Sequence, residues 1–107
     1  MKNLTVTIIF FLAALLEVGG DALIRKGLRG FGAGFIVLGV AALGSYGIVV
    51  NIVKWDFSRL LGVYVALFAI ISTLFGILVF KETVPGSRWI GLAFIVIGGL
   101  IIQFMKR

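Results

Sequence analysis

The chain has 107 residues, of which 62% are hydrophobic and only 13% are charged. A soluble domain carries about 25% charged residues. The apolar residues here also run in long blocks, so the sequence predicts an integral membrane protein. The chain has neither cysteine nor histidine, which excludes disulfides, thiolate or imidazole metal sites, and catalysis by either side chain. The formal charge of +6 comes from basic residues scattered over short segments, which argues against a nucleic-acid interface.

Four apolar segments follow one another, and each is long enough to cross, or nearly cross, a hydrocarbon core of roughly 30 Å as a helix. They cover residues 4–24, 33–53, 60–80 and 89–105. Their short connections predict up-down neighbours in a single all-α transmembrane domain over residues 1–107. The sequence predicts no cofactor and no metal. The first segment is too long for the apolar region of a signal peptide and lacks its cleavage pattern, so we expect it to be retained.

The first segment carries two carboxylates, Glu17 and Asp21. An acid inside a bilayer costs about 2.5 kcal/mol or more on insertion scales, and such residues usually mark a path for a substrate, ion or proton. The two acids are four residues apart and therefore share a side of the helix, which Arg25 continues by another four. Asp21 is predicted either to pair with Arg25 near the interface or to bind substrate. Glu17 is the deeper acid and the predicted proton and substrate site.

Other polar side chains in the spans are sparse. Ser45 and Tyr46 lie in the second segment, and Tyr64 and Phe68 lie four residues apart in the third. These side chains are candidates to line a cavity with Glu17, and the aromatic pair is a candidate wall for a cation. Helix packing is the alternative role for each of them.

Gly91 and Gly98 are seven residues apart, on one side of the fourth predicted helix. Small residues let membrane helices approach closely. The pair is therefore predicted to form a dimer contact, with packing inside one chain as the alternative.

The Lys and Arg residues are divided equally between the two ends of the predicted helices. Five lie on one side and five on the other: Lys2, Lys54, Arg59, Lys106 and Arg107 against Arg25, Lys26, Arg29, Lys81 and Arg88. Because an excess of these residues sets the orientation of a membrane protein, the balance predicts either insertion both ways up or an orientation that weaker signals decide. Two opposite copies would then form an antiparallel homodimer with the inverted symmetry seen in larger transporters.

Several stretches together resemble the small multidrug resistance family of the drug/metabolite transporter superfamily, over nearly the whole chain. They are Ala14 to Val18 around the acid, the basic residues after the first span, Tyr64, and Gly91 with Gly98. The stretches FFLAALLE and RLLGVY are also similar to a YnfA-type branch. The resemblance implies a dual-topology antiparallel homodimer whose Glu17 pair binds protons or a cation in alternation. Asp21 is an additional acid relative to that family, and the third span lacks the family's glycine-rich kink and its tryptophan.

The sequence thus predicts a multi-pass protein of the plasma (inner) membrane that exchanges protons for small organic cations of quaternary ammonium, guanidinium or polyamine type. It is predicted not to be an enzyme, and its partners are the cation, protons, the lipid bilayer and a second copy. One alternative is a subunit of a lipid-linked aminosugar flippase, since the segment from Lys81 to Ile102 resembles such subunits. The other is a structural or regulatory small membrane protein in which Glu17 is inert.

Overall fold

The structure is a computed structural model and describes residues 3–104. Four α-helices account for most of them: α1 Asn3–Lys26, α2 Ala33–Val50, α3 Phe57–Leu78 and α4 Gly86–Phe104. Each helix is long and apolar enough to cross a membrane, and residues 3–104 contain no β-strand. The predicted fold is confirmed as all-helical over these residues, with four helices that are apolar enough to span a membrane. The predicted end of the fourth span at residue 105 and the basic residues Lys2, Lys106 and Arg107 lie outside the described residues.

The chain divides after Lys54 into two compact units. In the first, α1 packs against α2, and in the second, α3 packs against α4. Each unit is therefore a hairpin of two antiparallel helices, as short connections favour.

A tight turn over Gly27–Phe31 joins α1 to α2. Gly30 has φ of 113° and Gly32 has φ of 101°, a backbone conformation that residues with a Cβ rarely adopt. The two basic residues in the last turn of α1, Arg25 and Lys26, lie where a helix end carries partial negative charge. Lys26 also places its ammonium 5.8 Å from the centre of the Phe31 ring, across the turn.

The second helix ends at Val50, although the apolar run continues to residue 53. Asn51 causes this early end, because its side-chain amide Nδ2 donates to the Gly47 carbonyl at 2.7 Å. The next two backbone amides donate to carbonyls three residues back, Ile52 to Val49 and Val53 to Val50. These shorter bonds replace the α-helical pattern with a tighter turn.

The third helix begins at Phe57, where the carbonyl of the preceding Asp56 accepts the first bond, from the Leu60 amide at 2.8 Å. It runs to Leu78 as one α-helix. The fourth helix begins directly after Pro85, whose carbonyl accepts from the Arg88 amide at 3.0 Å. Proline suits this place, because its missing N–H is not needed at a helix start.

Small residues hold the helices of each hairpin close together. In the first hairpin, Gly20 and Gly39 meet so closely that a Cβ on Gly39 would lie 2.6 Å from the Gly20 carbonyl oxygen. In the second, a Cβ on Gly99 would lie 2.6 Å from the Ala66 methyl carbon. Close approach of this kind stabilises membrane helix pairs through van der Waals contact, since lipid tails provide no hydrophobic drive between helices.

A cluster of side chains closes the second hairpin near the start of α3. The Arg59 guanidinium stacks 3.8 Å from the centre of the Trp55 ring. Its Nη2 also donates to Gln103 Oε1 of α4 at 3.0 Å. This arginine therefore has a packing role in addition to its charge.

Candidate functional site

Glu17 lies on the side of α1 that packs against α2. Positions 6, 13 and 20 of α1 and position 27 directly after it are seven residues apart, and all four are buried. Positions 10, 17 and 24 repeat with the same spacing and alternate with them, so the two rows form one continuous stripe. Glu17 is the only charged side chain in this stripe, and it is half-buried.

The contact between α1 and α2 next to Glu17 is built from backbone and small side chains. A Cβ on Gly20 would lie 2.9 Å from the Gly39 carbonyl oxygen and 3.2 Å from the Ala42 methyl carbon. One turn further along α2 lies Tyr46, which is also half-buried. The structure therefore places a carboxylate of α1 and a phenol of α2 within electrostatic range of each other.

Asp21 lies one turn beyond Glu17 and differs from it in exposure. Its side chain is exposed, as is that of Arg25. Asp21 is thus placed at the surface near the end of α1, while Glu17 lies in the packed stripe. The two proposed roles of Asp21, pairing with Arg25 and binding substrate, both stay predictions.

Ser45 is next to Tyr46 in the chain but lies on a different side of α2. It is exposed, and its Oγ donates to the Ala41 carbonyl at 2.9 Å. Residues of α2 that lie against Gly20 of α1 include positions 39, 42 and 43, the side to which Tyr46 belongs and Ser45 does not. The structure does not bring the Ser45 hydroxyl into the contact that holds Glu17.

The predicted aromatic pair lies in the second hairpin. The Tyr64 and Phe68 rings have centroids 6.3 Å apart with an angle of 34° between their planes, one turn apart on α3. Tyr64 is 2% exposed and Phe68 is half-buried. The two rings are therefore neighbours on α3, and their role as a wall for a cation stays a prediction.

Gly91 and Gly98 have open space where a side chain would be. A Cβ built on either one meets no atom of the described chain within 4 Å. Neither glycine is therefore explained by close packing inside residues 3–104, in contrast with Gly99, which packs against Ala66.

Two glycines that contact α2 were not predicted from the sequence, Gly20 of α1 and Gly27 at the start of the turn after it. A Cβ on Gly27 would lie 2.5 Å from Ile36 Cγ1. The signal was present in the sequence, because Ala13, Gly20 and Gly27 are small residues at a seven-residue spacing.

The described residues contain no group of three or more acidic side chains that could hold a metal ion. What the first hairpin offers instead is one half-buried carboxylate beside a phenol, inside a helix that can cross a membrane. Such an arrangement can hold a proton or a small organic cation.

Comparison with known proteins assigns the chain to a family. The family described as "Uncharacterised BCR, YnfA/UPF0060 family" matches residues 3–107. A UPF0060 membrane protein of Nocardia farcinica is 35% identical over 100% of this chain and 98% of its own length. The UPF0060 membrane protein YfjF of Bacillus subtilis is 35% identical over 95% of this chain and 96% of its own.

A UPF0060 membrane protein of Staphylococcus carnosus is 37% identical, over 94% of each chain. No solved structure matches the chain. The relatives are membrane proteins matched from end to end, in agreement with the four apolar helices. The chain is therefore a member of the YnfA/UPF0060 family of membrane proteins.

Proposed function

We propose that the protein is a small transporter of the plasma membrane that exchanges protons for organic cations of quaternary ammonium, guanidinium or polyamine type. The observation that carries this proposal is the position of Glu17. It is a half-buried carboxylate in the packed stripe of a membrane-spanning helix, with Tyr46 of the neighbouring helix beside it. An acid at such a place is costly, and function is the usual reason for its presence.

Exchange follows from competition for one carboxylate. An ionised carboxylate is poorly solvated in a low-dielectric site, so it favours a partner of opposite charge. A proton or an organic cation can supply that charge, but one carboxylate cannot take both fully. Binding of the cation therefore releases the proton, and a proton gradient drives the cation in the other direction. No covalent bond is made or broken, so the protein acts as a carrier and not as an enzyme.

An antiparallel homodimer is part of the proposal. The five Lys and Arg residues on each side give no orientation preference. Gly91 and Gly98 of α4 leave open space that a helix of a second copy can fill. Two oppositely inserted copies would contribute one Glu17 each, as the inverted repeats of larger transporters contribute equivalent residues.

Glu17→Gln tests the proposal, because it keeps the size of the side chain but cannot ionise. Purified wild type, Glu17→Gln and Glu17→Asp are titrated with tetraethylammonium, guanidinium and spermidine in buffers of different ionisation enthalpy, at several pH values. For wild type we expect affinity for at least one cation to rise with pH, together with proton release on binding. Glu17→Asp should keep both effects, and Glu17→Gln should lose both.

Circular dichroism and size-exclusion chromatography of each variant show that it is folded and assembled. Undiminished, pH-independent cation binding by a folded Glu17→Gln protein would refute the exchange mechanism. The flippase subunit, which needs no essential acid in the first span, would then be the better account.

A further inference from the structure

A polar cavity lies at the end of the second hairpin where α3 passes into α4. Its volume is about 220 Å³, and it is lined by Ser72, Thr73, Glu82, Val84 and Arg88. One water needs only roughly 10–15 Å³ of such volume, so the cavity can hold a group of several non-hydrogen atoms.

Backbone geometry holds Glu82 at this cavity. Lys81 has φ of 59°, a left-handed conformation that is uncommon and costly for a residue with a Cβ. This residue turns the chain back, so that the Glu82 amide donates to the Gly76 carbonyl at 2.9 Å. The carboxylate then lies against Gly76, where an added Cβ would be 2.5 Å from Oε1. The missing side chain at Gly76 makes room for the acid.

The two hydroxyls at the cavity have already used their hydrogens. Ser72 Oγ donates to the Ala69 carbonyl at 3.1 Å, and Thr73 Oγ1 donates to the same carbonyl at 2.8 Å. Each oxygen therefore has only lone pairs left for a ligand. With the Glu82 carboxylate, the cavity offers three groups that accept hydrogen bonds, a set that suits an ammonium with several N–H donors.

Arg88 adds the opposite charge. Its guanidinium is exposed in the first turn of α4 and belongs to the same lining. Arginine presents planar paired donors that match the oxygens of a phosphate. Residues 79–85 join two helices that can each cross a membrane, so a bilayer spanned by both helices would have its headgroups near this connection.

We propose that this cavity binds a headgroup that carries both a primary ammonium and a phosphate, supplied by the ethanolamine phospholipids of the bilayer. Glu82, Ser72 and Thr73 accept from the ammonium, and Arg88 donates to the phosphate. A choline headgroup has no N–H to donate, and a glycerol headgroup has no positive charge for Glu82. The site is independent of Glu17 and of the exchange proposed above.

The test is lipid binding to the whole protein, measured by native mass spectrometry after delipidation in detergent. Phosphatidylethanolamine, phosphatidylcholine and phosphatidylglycerol with identical acyl chains are titrated in parallel. We expect wild type to bind the ethanolamine lipid about tenfold or more tightly than the choline lipid, as one charge-assisted hydrogen-bonded contact allows. Glu82→Gln should remove that preference, and Arg88→Gln should weaken the binding of the ethanolamine and glycerol lipids to the same extent.

Two further variants separate a site from a general charge effect. Gly76→Ala keeps every charge but displaces the Glu82 carboxylate, so it should reduce the preference as Glu82→Gln does. Asp21→Asn with Arg25→Gln removes an exposed acid and base from the end of α1 and should leave the preference unchanged. The proposal would be overturned if wild type bound the ethanolamine and choline lipids equally. It would also be overturned if the variant Asp21→Asn with Arg25→Gln lost the preference as much as Glu82→Gln does.

Soluble phosphoethanolamine distinguishes the two sources of the headgroup. We expect it to compete with the lipid only at concentrations far above those at which the lipid binds, because it lacks the acyl chains that lie along α3 and α4. If it binds as tightly as the lipid, the ligand is a soluble metabolite and the assignment to the bilayer is wrong.

Discussion

The contact between Gly39 and Gly20 can be tested by adding a single methyl group. In Gly39→Ala the new Cβ would lie 2.6 Å from the Gly20 carbonyl oxygen, whereas ordinary van der Waals contact begins at 3.4 Å. The difference is 0.8 Å, and the obstructing atom belongs to the helix backbone, so α1 and α2 must move apart by about that distance. Over-packing of this kind costs roughly 1–3 kcal/mol. We therefore expect Gly39→Ala to be less stable than wild type by about that amount.

The control is Gly44→Ala in the same helix, where a Cβ would meet no atom of the described chain within 4 Å. Alanine is the better helix former by about 1 kcal/mol in water, so this variant should be as stable as wild type or slightly more. Gly20→Ala and Gly19→Ala form a second matched pair, on adjacent residues of α1. Position 20 meets the Gly39 carbonyl at 2.9 Å, while position 19 meets nothing within 4 Å.

The assay is reversible unfolding in mixed micelles, followed by circular dichroism, with cation binding measured on the folded fraction. Because Glu17 lies one turn from Gly20 in the same stripe, separation of the helices should also move it away from Tyr46 and weaken cation binding. If Gly39→Ala proves as stable as Gly44→Ala, the close approach of α1 and α2 described above is wrong.

Three other predictions concern single features. Arg59→Lys loses the planar stack on Trp55 and the bond to Gln103, and should lower the unfolding free energy by about 0.5–1 kcal/mol, while Arg88→Lys should leave it unchanged in the same micelle assay. Asp21→Asn should keep substrate-driven proton release if Asp21 is an interfacial residue, and a folded variant that lacks release would place Asp21 in the binding site. A reporter fused to the C-terminus should be found on both faces of the membrane, and three added lysines should move it to one face; one orientation for the wild type would contradict an antiparallel homodimer.

The apolar runs were sufficient to predict the four helices, because only a helix satisfies its own backbone in lipid. The helix ends were less predictable, since they depend on local hydrogen bonds. Hydropathy extends the second span to residue 53, but the bond from Asn51 to Gly47 ends α2 at Val50. Hydropathy likewise starts the third span at residue 60, whereas α3 begins at Phe57 directly after Asp56.

The candidate site was partly predictable for the same physical reason. A carboxylate in an apolar run is conspicuous, so Glu17 was identified from the sequence. The sequence could not show which of the adjacent residues Ser45 and Tyr46 lies toward Glu17. The two lie on different sides of α2, and only the packing of α1 against α2 selects Tyr46. The cavity around Glu82 was not predictable at all, since it depends on the left-handed turn at Lys81 and the small residue at Gly76.

The bonds from Ser72 and Thr73 to the Ala69 carbonyl also have a mechanical consequence. That carbonyl serves two hydroxyls at 3.1 Å and 2.8 Å in addition to its place in the helix. A serine or threonine that bonds back to the preceding turn weakens the helical ladder there and often bends the helix. The turn from Ala69 to Thr73 is therefore expected to bend more easily than a turn without such bonds, which would give α3 a flexible point in place of the glycine-rich kink that the sequence lacks.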